Sequence, residues 1–415
     1  MIIKNPLIIK KAKLQTKAVT PKTTSQTITA DSGYDGLNEV EISAVTSSID
    51  SNITAENIKK DVTILGVTGT LESGGGILPD ETKPIRLYDY DGTLLYSYTN
   101  EEIRALTTLP TPPEHDRLTF QEWNWSLSDL QTLTTEMNVG ATYTTTSGES
   151  EFDIELTTVT GLTVTLNMDG TKDWGDGSTP NTATTHTYSS VGTYTIKCNG
   201  TSITASSSSG AFGQSSSSRN YYVKNIRLSK ITTIASYALF YCLNLKSITI
   251  PSSVTTISSS AFYYCSILQS IIIPSLATNL GTELFYACSK IKLIIIPNKI
   301  KQINNYAYRS CSNLTSITIP ASVTSIGSYA FNGCTSLTSI TIPASVTSID
   351  FYAFYSDTSL IEYDLSLLNS VPTLNGSDVF TNINQLCKIK VKSSLLSDFQ
   401  TATNWSTYAN YMVGV

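Results

Sequence analysis

The clearest pattern of hydrophobic and polar positions in this chain returns every 23 residues in its C-terminal half. Each copy reads like CTSLTSITIPASVTSIGSYAF, in which the segment L-x-x-I-x-I alternates apolar and polar side chains. The alternation predicts a short strand, and the next proline ends it because proline has no amide hydrogen for a ladder bond. The pattern therefore predicts one short strand for each copy.

Several columns of residues keep the same step. They are the cysteines Cys242, Cys265, Cys288, Cys311 and Cys334, the prolines Pro251, Pro274, Pro297, Pro320 and Pro343, and the aromatic residues Phe262, Phe285, Tyr308, Phe331 and Phe354. One copy cannot bury its own apolar face, whereas stacked copies share a continuous core. We expect a solenoid that advances about 4.8 Å per coil. Its inward column should be Ile248, Ile271, Ile294, Ile317 and Ile340.

The copies ITIPSSVTTISSSAFYYC, ITIPASVTSIGSYAFNGC and ITIPASVTSIDFYAFYSD closely resemble the BspA-like leucine-rich repeats of the Treponema pallidum type. The resemblance covers about residues 226–370 and implies a leucine-rich-repeat solenoid that presents a binding surface. The chain departs from the pattern at Asp357, which replaces the repeating cysteine, and at Leu284, which replaces a small alanine. We expect the last coil and that corner to pack differently, without loss of the fold.

Both ends of the repeat region have distinct patterns. Two serine runs, at 206–209 and 215–218, flank the pair Ala211 and Phe212, which we interpret as a degenerate first coil that caps the solenoid. At the other end, SSLLSDFQTATNWSTYANYMV predicts a capping helix with Ser393 or Ser394 at its N-cap.

The segment DWGDGSTPNTATTHTYSSVGTYTIKC, residues 173–198, resembles a PKD domain, which is an immunoglobulin-like β-sandwich. The resemblance depends on the W-G-D-G motif at 174–177, the H-x-Y motif at 186–188 and the G-x-Y-x-I motif at 192–196. The expected strands begin near residue 151, so the span is short for a sandwich, and a strand is either missing or borrowed from a neighbour.

Residues 84–139 predict a small α+β module. IRLYDYDGTLLYSY reads as a hairpin with Asp91 and Gly92 at its turn, and TFQEWNW reads as a strand. Thr99 and Glu102 form a capping box for one helix, and Ser126 caps a second.

Residues 14–72 resemble segments of tail and fibre proteins of phages that infect gut bacteria, with ENIKKDVTILGVTGT as the recognisable phrase. This resemblance implies an attachment region, and the glycines at 74–76 suggest a hinge after it.

Together these patterns predict a mainly β, modular chain. The modules are an N-terminal attachment and β region at 1–76, an α+β module at 77–148, a PKD-like sandwich at 149–200, a repeat solenoid at 201–387 and a C-terminal cap at 388–415.

Composition and charge exclude several classes of protein. The 415 residues carry a formal charge of −6, and the 27 lysines and arginines form no basic run, so nucleic acid is not an expected partner. The start MIIKNPLIIKKAK has no secretory h-region, and no stretch of 18 apolar residues occurs. We therefore expect a chain without membrane insertion, made in the cytoplasm, with its seven cysteines reduced.

The sequence offers little material for catalysis. The only histidines are His115, in a proline-rich loop where we expect it exposed, and His186, which has a structural role in the sandwich motif. Parallel coils direct the cysteine thiols side by side, so we expect packing residues and no metal site or cofactor. Two acidic groups, Asp89 with Asp91 and Asp173 with Asp176, read as turn residues because Asn100 stands where a calcium loop needs a glutamate.

Two groups of side chains are candidate binding surfaces. The outward strand positions are mostly serine and threonine, but two coils carry an apolar patch formed by Ile272, Leu293 and Ile295. This patch is either a contact with a partner or a contact with a neighbouring module. A column of tyrosines at the turns either recognises a glycan or protein or is half-buried scaffold, and its members are Tyr237, Tyr306, Tyr329 and Tyr352.

The leading hypothesis is a non-enzymatic phage virion protein of the tail-fibre, receptor-binding or head-decoration type, assembled in the host cytoplasm. Its N-terminal region would contact other virion proteins, and its repeats would bind a bacterial surface protein or glycan. A homo-oligomer, such as a trimer, is expected for a fibre. The first alternative is a BspA-like adhesin of the bacterial cell surface, and a third is a set of accessory modules of a hydrolase.

Overall fold

The computed structural model describes residues 80–158, 162–205, 209–214 and 219–415, together with four short strands nearer the N-terminus. The chain divides into two compact units, Met1–Leu78 and Pro79–Val415. In the first unit, β1 (Gln26–Ile28) pairs antiparallel with β2 (Val40–Ile42), and β3 (Thr63–Ile64) pairs antiparallel with β4 (Val67–Thr68). The predicted attachment role of residues 1–76, the glycine hinge and the two serine runs lie outside the described residues, apart from these strands and Ser209.

The second unit begins with an α+β module. Its elements are β5 (Ile85–Tyr88), β6 (Leu94–Tyr98), α1 (Asn100–Ala105), β7 (Leu118–Trp123), α2 (Leu127–Gln131) and β8 (Met137–Thr145). The four strands form one sheet in the order β6-β5-β8-β7, in which β5 and β8 are parallel. The predicted hairpin, the capping box of Thr99 with Glu102 and the Ser126 cap are all present.

A short two-sheet module follows. Its strands are β9 (Ser150–Leu156), β10 (Thr163–Thr165), β11 (Lys172–Asp173), β12 (Thr185–Thr187) and β13 (Gly192–Cys198). One sheet has the order β11-β13-β9, and β10 pairs with β12 in the other. The free edge of β9 pairs antiparallel with β14 (Val223–Arg227), the first strand of the solenoid. The sandwich sheet is therefore completed by a strand of its neighbour.

The repeats form a solenoid with two columns of short parallel strands, confirming the predicted mainly β fold and 23-residue period. The long-strand column is β14, β16 (Ser247–Thr249), β18 (Ser270–Ile272), β20 (Leu293–Ile295), β23 (Ser339–Thr341), β25 (Glu362–Asp364) and β27 (Lys388–Val391). The two-residue column is β15 (Thr233–Ile234), β17 (Thr256–Ile257), β19 (Asn279–Leu280), β21 (Gln302–Ile303), β22 (Ser325–Ile326), β24 (Ser348–Ile349) and β26 (Thr373–Leu374). The turn between the two columns begins at the repeating proline. In one coil, for example, the Val254 amide donates to the Pro251 carbonyl and closes this turn.

The core runs without a break from the sandwich through the whole solenoid. The predicted inward isoleucines are buried, and the rings of the aromatic column stack from coil to coil. Phe331 and Phe354, for example, have ring centroids 5.2 Å apart and almost parallel planes. Burial of these apolar faces against their neighbours stabilises each coil, because a single coil has no core of its own.

The C-terminal cap consists of a 3₁₀ turn (Ser393–Leu395), α3 (Leu396–Thr401), a 3₁₀ segment (Trp405–Tyr411) and β28 (Met412–Gly414), which extends the long-strand column beside β27. The predicted N-cap at Ser393 or Ser394 is wrong, because neither side chain caps a helix. The amide of Ser393 instead donates to the carbonyl of Val415, which ties the cap to the last strand. None of the helices in the described residues has the length and apolar character that a bilayer crossing requires.

Candidate functional site

Both histidines are held by carboxylates. His115 Nε2 lies 2.7 Å from Asp89 Oδ2, and its ring makes edge contacts with Tyr90 and Tyr143. The expectation of an exposed loop histidine is therefore wrong, since the side chain is only 24% exposed. The cause is the hairpin β5–β6, which brings Asp89 to the loop.

His186 has the structural role that its motif predicts. Its Nε2 lies 2.7 Å from Asp176 Oδ2, and its ring stacks on Trp174 at a centroid distance of 5.1 Å. Hydrogen bonds from Ser178 and then from His186 lower the pKa of Asp176 to about 2, against a smaller opposing effect of burial. The pair joins β12 to the W-G-D-G turn.

The acidic residues beside these histidines serve in turns. Asp91 accepts a hydrogen bond from the Thr93 amide, Asp173 from the Gly175 amide, and Asp176 from the Ser178 amide. Within the described part of the chain, no three histidine, cysteine, aspartate or glutamate side chains converge as a metal ion would require.

The cysteine column lies in the core. Each thiol from Cys265 to Cys334 donates to a main-chain carbonyl of the preceding coil, as Cys288 does to Phe262 at 3.1 Å. All five side chains from Cys242 to Cys334 are fully buried, and burial raises the pKa of each thiol. The thiols are spaced along a ladder and do not converge.

A thiol-labelling experiment tests this arrangement. We expect the five column cysteines to react at most very slowly with an aromatic disulfide reagent in the native chain at pH 8, because they are both inaccessible and protonated. All seven cysteines should react once urea has unfolded the protein. Rapid native labelling at Cys242–Cys334, located by peptide mass spectrometry, would contradict the core assignment.

The apolar patch on the strands is covered by the α+β module. Ile272, Leu293 and Ile295 are almost fully buried and pack against Tyr88 and Tyr90. Strand β8 lies across β16, β18 and β20. Of the two interpretations of this patch, the structure shows the contact with a neighbouring module, which removes these three residues from the candidate binding surface.

Polar contacts fix the module in this position. Asn124 Nδ2 donates to the Ile273 carbonyl at 2.9 Å, and Trp125 Nε1 donates to the Ile296 carbonyl at 3.1 Å. Gly140 is required for the close approach, because a Cβ there would lie 2.5 Å from Ile272 Cγ2. The N-terminal half of the strand face is therefore occupied within the chain itself.

The tyrosine column remains half exposed on the turns of the solenoid. Tyr306, Tyr329 and Tyr352 stack with centroids 4.9 and 4.8 Å apart, and all three have backbone φ angles near +58°. Tyr237 occupies the equivalent place in an earlier coil, where it makes an edge contact with Phe240. Ser260 and Glu283 interrupt the column between them.

A second set of tyrosines fills this interruption from neighbouring columns. Tyr241 stacks on Tyr264, Tyr264 stacks on Tyr286, and the Arg309 guanidinium lies over the Tyr286 ring at 5.3 Å. Arg309 also lies 5.6 Å from the Tyr306 centroid and 5.3 Å from that of Tyr329. We call this diagonal series, Tyr241, Tyr264, Tyr286, Arg309, Tyr306, Tyr329 and Tyr352, the aromatic strip.

Sequence reasoning found only the C-terminal part of the strip. The signal for the rest was present, since tyrosines appear at 263, 264 and 286 where the first column lacks them. The strip is the best candidate site that the described residues offer, because it is continuous over several coils and carries hydrogen-bonding groups at its edge.

Comparisons with known proteins agree with the solenoid. The BspA type leucine-rich repeat region matches six copies, at residues 190–315 and 301–403. These two overlapping ranges span 190–403, slightly more than half of the 415 residues. A comparison with curated protein sequences gives no match.

Solved structures of bacterial repeat proteins are similar in part. A leucine-rich repeat protein from Eubacterium ventriosum is 31% identical, with 37% of this chain and 41% of that one covered and a TM-score of 0.34. One from Bacteroides ovatus is 24% identical, with 41% and 55% covered and a TM-score of 0.29. The T. pallidum leucine-rich repeat protein is 23% identical, with 40% and 77% covered and a TM-score of 0.29.

The chain spans about two fifths of the first of these proteins and about half of the second. Because the structural superpositions are partial, the family assignment depends on the sequence match over residues 190–403. That match includes the strands, prolines, cysteines and aromatic residues that build the observed coils. The chain therefore belongs to the BspA-type leucine-rich repeat family.

Proposed function

We propose that this chain is a non-enzymatic binding protein of a bacterial cell surface and that its repeats present the binding site. The observation that carries the proposal is the half-exposed aromatic strip on the turns of the solenoid. The apolar part of the strand face is already covered by the chain's own α+β module. The turns are therefore the better candidate for contact with another molecule.

The non-enzymatic part of the proposal is supported by the use of the polar side chains that chemistry would need. His115 and His186 are each bound to an aspartate and packed against aromatic rings. The column cysteines are buried, and burial raises the pKa of their thiols, so they lack the thiolate that a nucleophile requires. The two histidines and the column cysteines therefore stabilise the fold.

The bacterial surface is proposed in preference to a virion. The virion hypothesis depends on residues 14–72, of which only short strands are described, and the comparisons give it no support. The PKD-like identity of residues 149–200 likewise remains a proposal, supported by the His186–Asp176 pair and by the short two-sheet arrangement. A bacterial surface protein and a virion protein are both compatible with a repeat region that binds another molecule.

Two measurements on the full chain test this function. Antibodies raised against the repeats should label intact cells that express the encoding gene, and beads coated with the folded protein should adhere to mucin layers, epithelial cells or other bacteria. Beads coated with heat-unfolded protein are the control. Labelling of purified phage particles without labelling of cells, or adherence no better than the control on every surface, would overturn the proposal.

A further inference from the structure

We propose that the aromatic strip binds a linear acidic polysaccharide, with Arg309 pairing with a carboxylate and the tyrosine hydroxyls donating hydrogen bonds to the sugar chain. This inference rests on the proposed function, for which it names the class of ligand. It depends on the geometry of the strip and on the unpaired charge of Arg309.

The rings of the strip are not free to stack on a ligand. The planes of Tyr306 and Tyr329 are within 7° of parallel, those of Tyr329 and Tyr352 within 20°, and those of Tyr241 and Tyr264 within 18°. The ring faces between stacked neighbours are thus covered, and the edges with their hydroxyl groups remain. The strip therefore offers a row of polar groups.

Burial raises the pKa of Tyr241, and it raises the pKa of Tyr263, which stacks on Tyr286 beside the strip, to about 12. A protonated phenol donates a hydrogen bond and also accepts one. The row therefore matches a ligand rich in hydroxyl and carboxylate oxygens.

Arg309 supplies an unpaired positive charge at the middle of the strip. Its side chain contacts three tyrosine rings, and among the described residues no carboxylate or hydrogen-bond acceptor pairs with it. The contacts with Tyr286 and Tyr306 hold the guanidinium in place before a ligand arrives. A planar guanidinium held in this way suits the two oxygens of a carboxylate.

Two carboxylates lie beside the strip and limit where a ligand's charge can sit. Glu283 accepts a hydrogen bond from the Ser260 hydroxyl, and the charge of Asp378 raises the pKa of Tyr352. Both would repel an anion near them. The carboxylate of the ligand is therefore expected over Arg309, between these two groups.

The spacing of the strip distinguishes a sugar chain from a peptide. Stacked neighbours lie 4.8–5.0 Å apart within one column, as for Tyr329 with Tyr352 and Tyr241 with Tyr264, and the step from Tyr264 to Tyr286 is 5.9 Å. An extended peptide repeats its side chains on one face at about 7 Å. One pyranose unit of a linear glycan is close to the observed step, so successive sugars can meet successive tyrosines.

Isothermal titration calorimetry of the full chain tests the inference with oligomers of polygalacturonate, alginate and hyaluronate. Fully methyl-esterified polygalacturonate is the matched neutral ligand, and polyglutamate is the acidic peptide. We expect at least one acidic glycan to bind, more weakly at high salt, and neither control ligand to bind comparably. Failure of all three glycans, or equal binding of the ester or of polyglutamate, would overturn the inference.

Variants locate the site. Arg309→Gln should lower the affinity about tenfold or more, because a charge-assisted hydrogen-bonded pair is lost. Tyr329→Phe keeps the stacked ring and should lower the affinity by a smaller factor, while Lys301→Gln removes a charge from the same coil and should change nothing. Unaltered binding by Arg309→Gln, with thermal unfolding confirming that each variant is folded, would contradict the site.

The two proposals fail separately. If coated beads still adhere to cells or mucin but no acidic glycan binds, the inference about the ligand is wrong and the binding function stands. If the beads do not adhere but a glycan binds through Arg309, the strip is a glycan site on a protein whose surface role must be rejected.

Discussion

Replacing Arg227 with methionine is expected to lower the free energy of unfolding by about 3–5 kcal/mol, because the change removes the cation that pairs with both oxygens of the buried Asp153 carboxylate. Arg227, on the first solenoid strand β14, donates to both oxygens of Asp153 on β9, at 3.2 and 2.6 Å. Its Nη1 also lies 3.5 Å from Glu151 Oε2. The Arg227 and Asp153 side chains are 15% and 13% exposed, and that of Glu151 only 1%, so solvent screens the group weakly.

This cluster connects three parts of the unit. Arg117, immediately before β7 in the α+β module, lies 3.2 Å from Glu151 and 3.5 Å from Asp153. Loss of Arg227 therefore weakens the junction at which the module, the sandwich and the solenoid meet. Urea unfolding followed by circular dichroism measures the effect.

A matched control lies on the same strand. Lys224 pairs with Glu155, whose side chain is 45% exposed, so Lys224→Met should change the stability little. Equal effects of the two substitutions would contradict the special role of the buried cluster.

The effect of Arg227→Met should also depend on pH. Burial opposes ionisation of Asp153, but hydrogen bonds from Arg227, Thr195 and Asn225 hold its pKa below the usual value. A lowered pKa in the folded state gives stability that is present above the unfolded pKa, about 3.9, and is lost as the pH falls through the folded value. The difference between native chain and variant should therefore shrink in acid.

The solenoid could be predicted from the sequence because each of its contacts repeats at a fixed spacing. Phe285 stacks on its counterpart Tyr308 in the next coil, and Ile294 pairs with its counterpart Ile271 in the preceding coil, so each column indicates its own neighbours. The docking of the α+β module could not be predicted in the same way. Asn124 and Ile273 are 149 residues apart, and nothing in the local pattern of either segment specifies the other.

The candidate site was predicted only in part for a related reason. Tyr306, Tyr329 and Tyr352 share one column and are visible as a repeat, whereas the stack passes to other columns through Arg309 and Tyr286. The crossing between columns depends on how the turns of successive coils pack together in three dimensions. The 23-residue period shows the tyrosines of each column separately and does not indicate that the columns join into one diagonal.

Replacing Asp357 with asparagine is expected to stabilise the chain at neutral pH. Asp357 occupies the cysteine position of its coil and is fully buried; its Oδ1 accepts a hydrogen bond from the Cys334 amide at 2.8 Å, and its Oδ2 has no partner among the described residues. Burial raises the pKa of Asp357 well above its usual value, and the hydrogen bond from the Cys334 amide offsets only part of this. An amide keeps the acceptor for Cys334 and removes the cost of the buried acid.

The sign of the pH dependence follows from the raised pKa. The contribution of Asp357 to stability is fully present below the unfolded pKa, about 3.9, and is lost as the pH rises through the folded pKa. Between these two pKa values, the free energy of unfolding of the native chain should fall by about 1.4 kcal/mol per pH unit relative to that of Asp357→Asn. Asp357→Cys, which restores the repeating residue, should also exceed the native stability at pH 7, while Asp398→Asn on the exposed face of α3 should show no such trend. Parallel pH profiles of the native chain and Asp357→Asn in urea unfolding would show that Asp357 does not titrate as a buried acid. The cost of burying an acid would then not explain why the other coils have a cysteine at this position.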